Sequence, residues 1–131
     1  MGGWGVYLVW GEHERELCGG ERDTTNNKME LTAAIEGLRA IKNKAVSTDV
    51  YLDSAYVLNG ITSWIADWKR KGWVNSKKQP VANKDLWFAL DKERAKFVDI
   101  SFHKVKGHAD NAGNIRADEL ANRAMDELEA G

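Results

Sequence analysis

Asn26-Asn27-Lys28-Met29-Glu30-Leu31 opens a stretch in which Leu31, Ala34, Ile35, Leu38 and Ile41 recur at helical spacing. The pattern predicts a helix over 27–44 with one buried stripe. Asn27 and Glu30 are spaced as a capping pair at its start. The segments flanking this helix decide the fold class. Upstream, Trp4, Val6, Leu8 and Trp10 alternate as one face of a strand over 4–10. Gly11-Glu12-His13 reads as a turn, and 14–23 as a returning strand, which makes an antiparallel hairpin. The Gly19-Gly20 pair in that second strand predicts a bulge or a close backbone approach. Downstream, 49–53 reads as a short strand with Val50 and Leu52 on one side, and a helical stretch follows from Ser54. Further on come a helix over 83–96 (Leu86, Trp87 and Leu90 its stripe), an alternating strand over 97–105, and a helix over 111–128 with Ala117, Ala121, Ala124 and Leu128 inward. Strands and helices interleaved in this order predict an α/β layered domain with a mixed β-sheet flanked by helices.

Composition narrows the function classes. A chain of 131 residues, 43% hydrophobic and 30% charged, suits a single domain over 1–131 with one core. No apolar run reaches the ~20 residues that span a bilayer, and no basic segment followed by an apolar stretch marks a signal peptide. Cys18 is the only cysteine, so no intramolecular disulfide can form, which suits a cytoplasmic location. A net charge of −1 gives no global attraction to nucleic acid, so such binding must come from local asymmetry. One segment has that asymmetry. Lys69, Arg70, Lys71, Lys77, Lys78 and Lys84 occur with no acid between Asp67 and Asp85, interleaved with Trp64, Trp68 and Trp73. Its plainer interpretation is a tryptophan core beneath a solvated face.

Three acids stand where strand or helix ends could aim them at one point: Glu30, Asp53 and Asp118. Each has an ordinary alternative. Glu30 could only cap its helix, Asp53 could be an N-cap, and Asp118 could be a solvated surface acid. Taken together, converging carboxylates are hard oxygen donors of the kind Mg²⁺ requires. His108, between Gly107 and Ala109, is either an exposed loop histidine or a proton carrier with a pKa near neutrality. His13 and His103 have no such context.

These stretches resemble the type 1 ribonuclease H family. The resemblance rests on Asn26-Asn27-Lys28-Met29-Glu30-Leu31, Asp53-Ser54-Ala55-Tyr56-Val57, Val105-Lys106-Gly107-His108-Ala109 and Asp118-Glu119-Leu120-Ala121, in order and at compatible spacing, and extends from Gly2 to about Ala124. It implies a ribonuclease H-like fold and divalent-metal cleavage of the RNA strand of RNA/DNA hybrids. Glu30, Asp53 and Asp118 would hold Mg²⁺, or Mn²⁺ in its place, and His108 would act in proton transfer or product release. The Trp/Lys segment (Trp64, Trp68, Lys69, Arg70, Lys71, Trp73) would grip the DNA strand. Asn26 and Asn27 would read the minor groove, and Asn83 and Asn114 would add contacts to the hybrid. The family works as a monomer.

The pattern departs from the family in one large respect. The family opens with a strand carrying Asp-Gly-Ser, which supplies a fourth carboxylate, and Gly2-Gly3-Trp4-Gly5 matches the family segment just after that strand. That strand is central in the family sheet. Its absence implies one of several arrangements: the flanking strands pair directly, a second copy fills the place by dimerisation, or the sequence starts late. Ala55 stands where the family often has a polar residue touching RNA. The alternative function is a hybrid-binding module with weak or no catalysis; a related nuclease or integrase-like domain is a third.

Overall fold

The computed structural model describes residues 2–10, 12–105 and 112–130, the side chains of 112–114 and 128–130 excepted. β1 (Gly2–Trp10) and β2 (His13–Glu21) form the expected antiparallel hairpin, in unbroken register from Gly2↔Glu21 to Trp10↔His13. The Gly19-Gly20 pair makes no bulge. Gly19 lies opposite Trp4, and the space its absent side chain leaves is taken by the Trp4 indole.

α1 (Asn26–Ala40) starts one residue earlier than its apolar stripe predicts, because the cap is Thr25 rather than Asn27. Thr25 has the extended backbone a cap needs, and its hydroxyl accepts the Lys28 N–H at 3.2 Å. The helix ends at Ala40, short of residue 44. Lys44 folds back so that its ammonium donates to the carbonyls of Leu38 and Ile41, at 2.9 and 2.7 Å, and so closes the helix end.

β3 (Thr48–Leu52) pairs in parallel with β4 (Ile100–Lys104). Between them run α2 (Ala55–Asn59), one π-helical turn (Gly60–Trp64), α3 (Ile65–Lys71) and α4 (Lys84–Ala95). α5 (Ala112–Ala130) follows. Phe97, read from sequence as a strand residue, precedes β4 and is buried in the core instead.

The sequence predicts one mixed sheet. The structure instead has two two-stranded sheets, β1–β2 antiparallel and β3–β4 parallel, with no ladder between β1 and β3 among the described residues. Separate packings hold them apart. Even-numbered β1 residues face α1, with Val6 against Gly37. Odd-numbered ones face α5, which lies so close that a Cβ on Gly3 or Gly5 would stand 2.1 Å from the carbonyl oxygen of Ala121 or Ala117. Val50, Leu52, Ile100 and Phe102 pack instead on the cluster of Leu31, Ala34, Ile35 and Leu38 with Val57, Ile61, Ile65, Trp87 and Leu90. On α5 the buried side chains are Leu120 and Ala124. Ala117 and Ala121 are half-buried and contribute carbonyls to the β1 contact, while the side chain of Leu128 lies outside the described residues.

Candidate active site and nucleic-acid interface

Glu30 projects from α1, Asp53 follows the last residue of β3, and Asp118 lies on α5. The local structure removes two of their ordinary roles. Thr25 caps α1. Ser54, not Asp53, caps α2, its hydroxyl accepting the Val57 N–H at 3.2 Å. α1 and α5 lie on opposite faces of the hairpin, so Glu30 and Asp118 approach from opposite layers. Glu30 feels the charges of both Asp53 and Asp118, and no ladder joins β1 to β3 among the described residues. The Glu30 pKa is raised, first by burial and then by the charges of Asp53 and Asp118. The ammonium of Lys104, paired with Leu52 in the β3–β4 register, donates to the Asp53 carbonyl.

The donor chemistry of the three acids suits a hard divalent cation. Their spacing is not that of a ready-made cage: among the described residues no three His, Cys, Asp or Glu side chains stand close enough to hold a metal. The two observations agree for Mg²⁺, which keeps several waters and uses one or two carboxylates together with substrate phosphate. His108 lies outside the described residues, as does the side chain of Asn114.

The tryptophan segment folds into one aromatic cluster. Trp68 meets Trp64, Trp73 and Trp87 at centroid separations of 6.0, 5.9 and 5.3 Å. Trp87 is fully buried and Trp73 is 9% exposed, stacked on Phe88 at 4.1 Å, so both belong chiefly to the core. Trp64 remains 36% exposed. The Tyr56 hydroxyl accepts from Asn83 Nδ2 and from Trp87 Nε1, each at 3.2 Å, tying α2 to the start of α4. Asn26 and Asn27 are exposed in the first turn of α1.

The basic segment is less free than its sequence shows. Lys69 pairs with Asp91 of α4 at 2.7 Å, and Arg70 pairs with Asp67. Lys71, Lys77 and Lys78 form no ion pair among the described residues, and Lys84 lies over the Phe88 ring. Sequence reading missed Asp91 and Lys104, and gave Tyr56 no role beyond its place in the 53–57 motif. Their roles come from contacts between segments far apart in the chain.

The element order, a β-hairpin, a helix, a parallel strand pair bracketing further helices and a closing helix, is that of a ribonuclease H-like fold. The RNase H family model matches residues 1–126. The ribonuclease H of Saccharopolyspora erythraea is 55% identical over 126 residues, covering 96% of this chain and 81% of the relative. That of Rhizobium etli is 52% identical over 130 residues, covering 99% and 85%. Among solved structures, LC9-RNase H1, described as a type 1 RNase H with the type 2 active-site motif, matches with a TM-score of 0.77 at 30% identity, over 93% of this chain and 60% of that one. The chain belongs to the ribonuclease H family.

Proposed function

We propose that this chain hydrolyses the RNA strand of RNA/DNA hybrids in a divalent-metal-dependent reaction, with Glu30, Asp53 and Asp118 as the metal-holding carboxylates. The observation that carries this reading is the RNase H family match over residues 1–126; supporting it, Glu30 on α1 has its carboxyl held above the usual range by burial and by the charges of Asp53, just after β3, and Asp118 on α5. Hydrolysis breaks the bond from phosphorus to the 3′ oxygen, and water supplies the new P–O bond. A bound divalent ion would acidify that water and stabilise the charge developing on phosphate. The protein's part is to aim the carboxylates and hold the hybrid. Asn26 and Asn27, at the head of the helix that carries Glu30, would probe the minor groove, where the 2′-hydroxyl separates RNA from DNA. Lys71, Lys77 and Lys78, together with the exposed Trp64, would grip the other strand through phosphates and ring stacking. Lys69, Arg70, Asn83 and Asn114 would support that surface. Trp68 and Trp73 would brace it from within, and His108 would carry the proton to or from the leaving group. We read residues 1–131 as one cytoplasmic domain working in this way.

A second reading is favoured by the open spacing of the acids and the divided sheet: hybrid binding with weak hydrolysis. One assay separates the two. A hybrid labelled on the RNA strand is incubated with Mg²⁺, Mn²⁺ or chelator, beside single-stranded RNA and duplex DNA. Metal-dependent cuts in hybrid RNA alone support the first reading. Tight hybrid binding without cuts under either metal replaces it with the second.

A further inference from the structure

α5 carries Asp118, so whatever fixes α5 on the hairpin also aims that carboxylate. Gly5 meets the Ala117 carbonyl and Leu120, and Gly3 meets Ala121 and Met125 one turn further along the helix. A side chain at Gly5 would push the start of the helix outward, so the glycine lets Ala117 rest on the strand. Glu16 of β2 lies directly opposite Tyr7 and shares the face of Gly3 and Gly5, so it also faces α5. Its carboxylate pairs with the Arg116 guanidinium, which donates to Glu119 of α5 as well, at 2.9 Å. The next acid on that face, Glu14, is held by the Tyr7 hydroxyl. Successive positions on a helix differ by about 100°. Arg116 and Asp118 therefore leave α5 on either side of the Ala117 contact. Arg116 leans toward β2, and Asp118 leans away from it, toward the edge of β1 that has no ladder partner among the described residues. Asp118 is exposed there, and its charge acts on Glu30 from the opposite layer.

We infer that the Glu16–Arg116 pair sets the roll of α5 about its axis and thereby positions Asp118, with Gly5 as the seat on which Ala117 turns. The inference rests on the reading of Asp118 as a metal-holding carboxylate. Because Arg116 and Asp118 flank one line of contact, a roll of the helix moves both side chains together. Anchoring Arg116 to β2 therefore anchors Asp118 on the other side. Glu119 holds the guanidinium from the helix's own surface, so the arginine follows the helix rather than swinging free. A partly exposed ion pair contributes little to global stability, so the pair matters here for direction. Charge alone gives the opposite expectation for Arg116. A cation close to a metal site repels the metal, and its loss should tighten metal binding. Positioning requires that loss to weaken it, and the sign separates the two.

The test is Mn²⁺ affinity of the full chain, read from water-proton relaxation, beside thermal melts and hybrid cleavage. Arg116→Met should weaken Mn²⁺ binding by about threefold or more, less than the roughly tenfold lost when a direct partner of a metal ligand is removed. The melting temperature should move by no more than about 4 °C. In an Asp118→Asn background the same change should cost no further affinity, because the arginine acts through that carboxylate. Should Arg116→Met fail to fold by circular dichroism, Glu16→Gln carries the same comparison, with and without Asp118→Asn. Mn²⁺ binding that is unchanged or tighter in Arg116→Met overturns the proposal, and so does a loss of equal size in the Asp118→Asn background. A protein that binds Mn²⁺ but cuts no hybrid overturns the hydrolysis reading alone, and the affinities still decide the role of the pair. A protein that binds no Mn²⁺ overturns both.

Discussion

Glu30 shows how a single position joins stability to function. Half-buried in the second turn of α1 and facing the charges of Asp53 and Asp118, its carboxyl holds a proton to higher pH than it would in the unfolded chain. Its contribution to stability is therefore full below the unfolded glutamate pKa of about 4.3 and is lost as pH rises through the higher folded value. In metal-free buffer the melting temperature of the protein should fall across that window, and Glu30→Gln should flatten the fall; a fall of equal size in the variant would remove Glu30 as its cause. Asp53 makes the complementary prediction. Ser54 does the capping beside it, so Asp53→Asn should keep the fold and raise metal-free stability by relieving repulsion, while hybrid cleavage drops by on the order of 10³-fold. Steady-state rates and thermal melts on the same sample check both halves.

At the scale of elements, the run from α2 through the π-helical turn to α3 matters most for the interface. A single-turn π segment displaces the residues after it relative to a regular helix, and here it falls between Tyr56 and Trp68, within the aromatic cluster. Gly60 opens that turn, and a Cβ there would stand 1.9 Å from the Trp87 ring. Gly60→Ala should cost roughly 1–3 kcal/mol by overpacking, seen in urea unfolding; unchanged stability would mean that the ring has room to move. The charges at the end of α3 and in the loop beyond it divide into two groups. Lys69 and Arg70 are partly neutralised by Asp91 and Asp67, whereas Lys71, Lys77 and Lys78 form no ion pair among the described residues. Neutralising the second group should therefore reduce the log–log salt slope of hybrid binding by roughly 0.7 to 0.9 for each phosphate no longer neutralised by the protein, and more than neutralising the first. Titrations at several salt concentrations would show the difference, and equal slopes would detach this surface from the backbone.

At the scale of the whole molecule, the divided sheet dominates. The inner edges of β1 and β3 have no ladder partner among the described residues, and the buried Thr24 hydroxyl, next to the start of β1, finds no hydrogen-bond partner there either. Unpaired buried polar groups are costly. A strand bearing Asp-Gly-Ser, added ahead of Gly2, should raise both melting temperature and turnover, the first by pairing those edges and the second by adding a carboxylate beside Glu30, Asp53 and Asp118. An extended protein neither more stable nor more active than the original would show that the open arrangement is self-sufficient. Much of this was legible in advance because it is local. Apolar alternation marked the hairpin, helical spacing marked α1, and the resemblance in four short motifs singled out the acids proposed for the site. The Asn27 cap and the glycine bulge were misread because a single hydroxyl and a facing indole, respectively, outweighed the local pattern. By itself the sequence determined the elements, their order and the kinds of side chain available for chemistry, since periodicity and residue type act within a few positions along the chain. Only the tertiary structure decided that the strands form two sheets, that Asp91 takes up Lys69, that Trp73 and Trp87 turn inward, and that Glu30 shares its surroundings with Asp53 and Asp118. Those outcomes depend on packing and Coulomb interactions between residues far apart in sequence, whose distances are set only when the layers close.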